Sequence, residues 1–301
     1  MMIKIENLSK SFGSKQVLKN LTLTIKDNSI FGLIGINGAG KSTLLRILAN
    51  VYDSDSGSVL FDGNILNSID TKKQIFFLPD DPYFEENKNI KDMLEFYQTF
   101  YEFDRNKFYE YLKAFKITSN ENYYLDNFKK FSKGMKRQVY VCLALAIAPK
   151  YLFLDEAFDG LDPLARLTFK RLILKIMEDN DMTVIISSHS LRELEDICDS
   201  YGLLDGGIIE SSGTIEDDLN KYYKYQLAFD KEVDLNIFSA LNYVSLNKVG
   251  RIVQIICQGE QELIETLINS LNPILIDKLP IDFEELFVIK VEKAGYLRNE
   301  K

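Results

Sequence analysis

Apolar and polar positions alternate from Met2 to about Lys26, as in Leu21-Thr22-Leu23-Thr24-Ile25-Lys26, and this period of two predicts antiparallel strand. Ile30-Phe31-Gly32-Leu33-Ile34 is continuously apolar and predicts a buried parallel strand, whereas Leu44 to Ala49 is apolar at helical spacing. A turn cluster, Asp53 to Gly57, leads to a strand at Ser58–Phe61 that Asp62-Gly63 closes. Gln74 to Leu78 predicts a second buried strand, ended by Pro79. From about Asn89 to Ala148, aromatic residues such as Phe96, Tyr97, Phe108 and Tyr111 recur at helical spacing, which predicts a mainly helical insert with an aromatic core stripe. Strands at Tyr151–Asp155 and Thr183–Ser188 flank a helix near Pro163–Met177. Alternation of strand and helix predicts an α/β fold with a parallel sheet, joined to an antiparallel β subdomain and the helical subdomain. After about Ile215 a separate small α/β module is expected, with strands near Tyr225–Phe229, Ile252–Cys257 and Ile274–Asp277 and a helix near Glu260–Leu271. The expected boundaries are therefore 1–215, with the helical part at about 89–148, and 216–301.

Between the buried strand and the first helix runs Gly35-Ile36-Asn37-Gly38-Ala39-Gly40-Lys41-Ser42-Thr43. This is G-x-x-x-x-G-K-S in the strand–loop–helix setting that the phosphate-binding loop requires. Glycines let backbone N–H groups turn onto phosphate oxygens, and the positive end of the new helix faces the same anion. Lys41 is placed to reach terminal phosphates and the Ser42 hydroxyl to ligate Mg²⁺. Asp155 ends an apolar strand and Glu156 follows it, at the sheet edge where α/β proteins bind ligands. The expected roles are a hold on Mg²⁺ through its water shell for Asp155 and polarisation of the attacking water for Glu156. His189 closes the next strand, one crossover later, and is expected at the same edge as a γ-phosphate contact.

The chain has 301 residues, 46% of them hydrophobic and 27% charged, enough for one large and one small globular domain. Its net charge of −9 disfavours non-specific binding to nucleic acid or to an anionic bilayer. The basic run Lys129, Lys130, Lys133, Lys136 and Arg137 is the one stretch that reads the other way. No apolar stretch approaches the ~18–20 residues of a membrane span, and no secretion signal is expected at the N-terminus. Cys142, Cys198 and Cys257 are scattered in mostly apolar contexts, as expected for free buried thiols in a reducing cytosol, and the single histidine leaves no common zinc arrangement.

The phosphate loop, Phe131-Ser132-Lys133-Gly134-Met135-Lys136-Arg137-Gln138, Leu152 to Glu156, Gly160-Leu161-Asp162 and Ser188-His189 follow one another in that order. Together they closely resemble the ATP-binding subunits of ABC transporters, over residues 1 to about 215. The resemblance implies ATP and Mg²⁺ as ligands and a homodimer that closes head to tail on two ATP molecules. It also implies a separately encoded transmembrane permease, which would hold the chain at the cytoplasmic face of the membrane. Phe12 falls where the family stacks adenine. Ser132, Lys133, Gly134 and Met135 fall in the signature that grips the ATP of the other subunit, and Asp162 falls in the loop that links the two sites. Phe131, Lys133 and Met135 depart from the usual leucine-serine-glycine-glycine-glutamine, a variant that resembles the exporter branch. Asp80 replaces the family's glutamine after Phe77-Leu78-Pro79; a carboxylate there retains the capacity to ligate Mg²⁺. The family's closing helix resembles Ile281 to Phe287.

Two other readings are weaker. Soluble relatives acting on ribosomes carry two cassettes, and this chain has one phosphate loop; those acting on chromosomes place long coiled coils between loop and signature, and no sustained heptad appears there. A GTPase needs N-K-x-D, but the Asn87-Lys88 and Asn247-Lys248 pairs continue as Asn89-Ile90 and Val249-Gly250.

Overall fold

The computed structural model describes residues 2–65, 69–83, 85, 87–117 and 125–293. The alternating N-terminal stretch folds as a hairpin of β1 (Met2–Phe12) and β2 (Lys15–Lys26), paired antiparallel. The buried positions of β2 include Leu21, Leu23 and Ile25, one face of the pleat, as the period of two requires. β3 (Ile30–Ile34) is buried at every residue and leads through the loop to α1 (Lys41–Leu48). β4 (Ser56–Phe61) returns to β1 and, with β5 (Asn64–Ile65), completes a four-stranded sheet in the order β2-β1-β4-β5.

The chain then enters the central sheet by α2 (Ile69–Lys73) and β6 (Ile75–Leu78). Three helices follow, α3 (Ile90–Tyr97), α4 (Arg105–Ala114) and α5 (Lys133–Ile147), separated before α5 by a short 3-10 turn at Phe128–Lys130. Residues 118–124, within the span expected to be helical, lie outside the described residues. β7 (Tyr151–Leu154), α6 (Pro163–Asp179), β8 (Thr183–Ser188), α7 (Leu191–Glu195), β9 (Ser200–Asp205) and β10 (Ile208–Thr214) complete the layer. The order is β10-β9-β3-β8-β7-β6, and the pairs β9–β3, β3–β8, β8–β7 and β7–β6 are parallel. The C-terminal ends of β3, β8 and β7 therefore lie side by side, and three chain segments far apart in sequence emerge at one edge.

The chain divides into two compact units, Met1–Ser212 and Gly213–Lys301. The second contains α8 (Ile215–Leu219), β11 (Tyr222–Ala228), β12 (Tyr243–Val249), β13 (Ile252–Gln258), α9 (Gln261–Ser270), β14 (Leu275–Leu279) and α10 (Phe283–Lys293). Its antiparallel sheet has the order β12-β13-β11-β14. The hydropathy pattern missed β5, α2, α7, β9, β10, α8 and β12. In β12 the reason is mixed alternation: Val244 and Leu246 alternate in step with Lys248, and Tyr243 and Val249 with Ser245 and Asn247, so neither set reads as apolar although Leu246 packs against the core. Among the described residues no helix is long and apolar enough to cross a membrane.

Candidate functional site

The loop after β3 is shaped by its glycines. A Cβ on Gly35 would stand 2.3 Å from the Leu204 carbonyl oxygen, so no larger residue fits beneath the loop. Gly40 caps α1 at φ +112, a backbone conformation open to glycine. Asn37 and Gly38 are exposed at the crest, Ala39 is buried, and Ser42 and Thr43 are half-buried in the first turn of α1. That turn leaves its free N–H groups pointing out of the helix end, the arrangement that binds phosphate.

Lys41 is 5% exposed and donates from Nζ to the Gly35 carbonyl at 2.7 Å; Nζ also lies 3.3 Å from Glu156 Oε1. Glu156 Oε2 lies 3.0 Å from His189 Nδ1. One carboxylate thus bridges the lysine of the loop after β3 and the histidine after β8. Asp155 is fully buried; its Oδ1 accepts from Ser187 Oγ at 2.7 Å, and its Oδ2 is buried with no hydrogen-bond partner. Ser187 Oγ in turn accepts from the Glu156 backbone N–H at 2.9 Å. Leu154 pairs with Ile186 across the parallel ladder, which sets Asp155 level with Ser187. A fully buried carboxylate oxygen without a donor is costly unless a cation or its water faces it, so the site fits a hard divalent ion beside Asp155.

At the start of α5, Ser132 accepts from the Met135 N–H at 3.2 Å as the helix cap. Asp162 caps α6 in the same way, accepting from Ala165 N–H at 2.9 Å. Ser132, Gly134, Met135, Gly160 and Asp162 line one cleft of about 440 Å³, and Lys133 is exposed on the first turn. Phe12 is 46% exposed and meets Tyr52 edge to face at 5.5 Å, with Lys10 Nζ 5.5 Å from its ring centre. Asp80 lies beyond β6, and its Oδ1 is 3.5 Å from Arg137 Nη1.

Arg137 and Ser187 escaped sequence reasoning. Arg137 sits in a basic run but is only 1% exposed. Its Nε donates to the Ala157 carbonyl at 3.2 Å, Nη1 to the Asp80 carbonyl at 2.6 Å, and Nη2 to the carbonyls of Asp155, at 2.6 Å, and Glu156. Burial pulls its pKa below the ordinary value, against the pull of Asp80, Asp159, Asp155 and Glu156. The available signal was helical phase: Arg137 precedes buried Val141 and Leu145 at intervals of four, so it falls on the apolar stripe. A second cleft, of about 590 Å³, opens beside this arginine's partners and is lined by Phe77, Pro79, Pro82, Met93, Phe96 and Tyr140 among others.

Comparison with known proteins decides the family. The family described as ABC transporter matches residues 18–159. The ABC transporter ATP-binding protein YtrB of Bacillus subtilis (strain 168) is 30% identical over 291 residues, covering 96% of this chain and 98% of that protein. This chain belongs to the ABC transporter ATP-binding proteins. Two further members differ in what their names say they move. The lantibiotic transport ATP-binding protein SrtF of Streptococcus pyogenes is 32% identical, over 76% of this chain and 99% of that protein. The methionine import ATP-binding protein MetN of Clostridium tetani is 32% identical, over 72% of this chain and 70% of that protein. A solved structure titled as the ATP binding subunit of an ABC transporter superposes with a TM-score of 0.66 at 25% identity, over 73% of this chain and 92% of that one. As a member, the chain binds ATP and is an ATPase whose hydrolysis is coupled to transport. The fold is the α/β phosphate-loop core of the family, with its antiparallel sheets and an accessory unit.

Proposed function

We propose that this chain is the ATP-hydrolysing half of an exporter, working as a head-to-tail homodimer on a separately encoded permease at the cytoplasmic face of the membrane. The observation that carries the reading is the convergence of Lys41, Glu156 and His189 from three neighbouring strand ends. ATP enters between the phosphate loop of one subunit and the Ser132–Met135 signature of the other. The triphosphate lies on Gly35 to Thr43, with Lys41 released from Glu156 to its terminal oxygens and Phe12 against the adenine. Ser42 and Asp155 would hold Mg²⁺, the buried free Oδ2 of Asp155 being the oxygen available to it or to its water shell. When bound, the ion would supply charge neutralisation on the leaving phosphates. Glu156 then accepts a proton from the attacking water, and His189 donates to the γ-phosphate.

The apolar cleft beside Asp80 supports the permease as partner, because aromatic and proline surface is left there without a cover: Tyr83 is 83% and Phe96 60% exposed. Export is supported by the Ser132-Lys133-Gly134-Met135 variant. The accessory unit of residues 216–301 is a dimer-stabilising or regulatory appendage.

Replacing Glu156 by Gln is expected to abolish turnover, to leave ATP binding intact and to trap an ATP-loaded dimer on size exclusion. Wild-type turnover in Glu156→Gln would remove the role given to that carboxylate.

A further inference from the structure

We propose that Arg137 is a positioning residue that fixes the backbone turn of Glu156, and with it the aim of the Glu156 carboxylate, its guanidinium being seated in turn by Asp80. The inference rests on the proposed function in taking Glu156 as the water-polarising group.

Glu156 stands at φ +48, in the left-handed region that a non-glycine residue keeps only where its neighbours impose it. Three contacts impose it. Its N–H is held by Ser187 Oγ, its carbonyl accepts the Asp159 N–H at 3.0 Å, and that carbonyl, with those of Asp155 and Ala157, is held by the Arg137 guanidinium. Three successive carbonyls on one rigid fork leave this turn little freedom to rotate. A lysine has the charge but not the planar set of donors that reaches them all.

The fourth carbonyl on the fork belongs to Asp80, at 2.6 Å, and the Asp80 carboxylate adds its Oδ1 at 3.5 Å from Nη1. That Oδ1 is itself buried without a hydrogen-bond partner, so Arg137 is the group it answers to. Asp80 is continuous with the cleft wall, since Leu78 and Pro79 precede it and Pro82 and Tyr83 follow it there. Displacing this segment draws a carbonyl and a carboxylate off Nη1. The guanidinium must then re-seat, and it carries the Glu156 carbonyl with it. An aspartate at this position strengthens the link by a full charge that the usual amide lacks.

The test is steady-state ATPase kinetics on the full chain. Arg137→Lys is expected to lower kcat by about 10- to 100-fold, the cost of a misaimed group. KM for ATP is expected to stay within about twofold, because the binding loop is untouched. Asp80→Ala, at a half-exposed site that tolerates truncation, is expected to lower kcat several-fold alone and to add nothing to Arg137→Lys. Wild-type kcat in Arg137→Lys, or a loss of ATP binding that parallels the loss of turnover, would overturn the positioning role. Multiplying losses in the double variant would break the link to Asp80, and a raised Mg²⁺ requirement in Asp80→Ala would give that carboxylate to the metal instead. If Arg137→Lys does not fold, Asp80→Ala decides: unchanged kcat ends the proposal. Glu156→Gln is assayed beside them. If it turns over normally, the proposed function fails; if it is dead while Arg137→Lys is not impaired, only the present inference fails.

Discussion

The carboxylate of Asp62 accepts from three directions. Oδ1 takes the Met2 backbone N–H at 2.9 Å, while Oδ2 takes the Tyr151 hydroxyl at 2.9 Å and pairs with Lys150. Burial pushes its pKa up, but the hydrogen bonds from Lys150 and Tyr151 and the lysine's charge outweigh it, so the folded value lies below the ordinary one. A depressed folded pKa means stability that is present above the unfolded value and lost as pH falls through the folded one. Asp62→Asn is therefore expected to cost about 1–3 kcal/mol in urea unfolding at neutral pH, and less and less below about pH 4. A difference that persists undiminished in acid would mean that the charge is not what matters. In the sequence this residue is only half of a turn, Asp62-Gly63. Lys41, Glu156 and His189 were legible because each follows a readable strand, and adjacent parallel strands deliver their ends together. Asp62, Arg137 and Ser187 were not, because their partners are backbone groups or strands distant in sequence, and such pairing leaves no local pattern.

The start of α5 meets the loop before α6 at close range. A Cβ on Gly134 would stand 2.5 Å from the Gly160 carbonyl oxygen, and Gly160 itself holds φ +74. Two glycines thus allow the Ser132 and Asp162 caps to share one cleft. Gly134→Ala improves local helix propensity, yet it pushes α5 off that loop. The expected result is unchanged helix content by circular dichroism with ATP turnover reduced about 10- to 100-fold, as for other ångström-scale misplacements. Turnover at the wild-type rate would show that the contact is incidental. The same kind of close approach hid β9 from the hydropathy pattern. Gly202 interrupts its short apolar run and reads as a breaker, but a Cβ there would stand 2.8 Å from the Phe31 ring. The glycine is present because the neighbouring strand β3 needs the space, which becomes visible only when the two strands are paired.

At the scale of the whole molecule, two apolar clusters draw on different parts of the chain. The cluster beneath the phosphate loop uses residues between Ile3 and Ile209, whereas that around Leu227 uses residues between Tyr223 and Leu271. Leu227 is fully buried on β11 within the cluster that holds Val253, Ile255, Ile264 and Ile268. Truncating it removes a side chain from a close-packed interior and leaves a cavity, at a cost of about 2–5 kcal/mol. Because no residue belongs to both clusters, that cost falls on the unit that contains Leu227. Leu227→Ala is expected to lose amide-exchange protection across β11, β13 and α9 while β3 and α1 keep theirs, and to hydrolyse ATP at the wild-type rate. If protection fell equally in β3, or turnover fell with it, the two clusters would be one cooperative core, and the accessory unit would bear on the ATPase through stability itself.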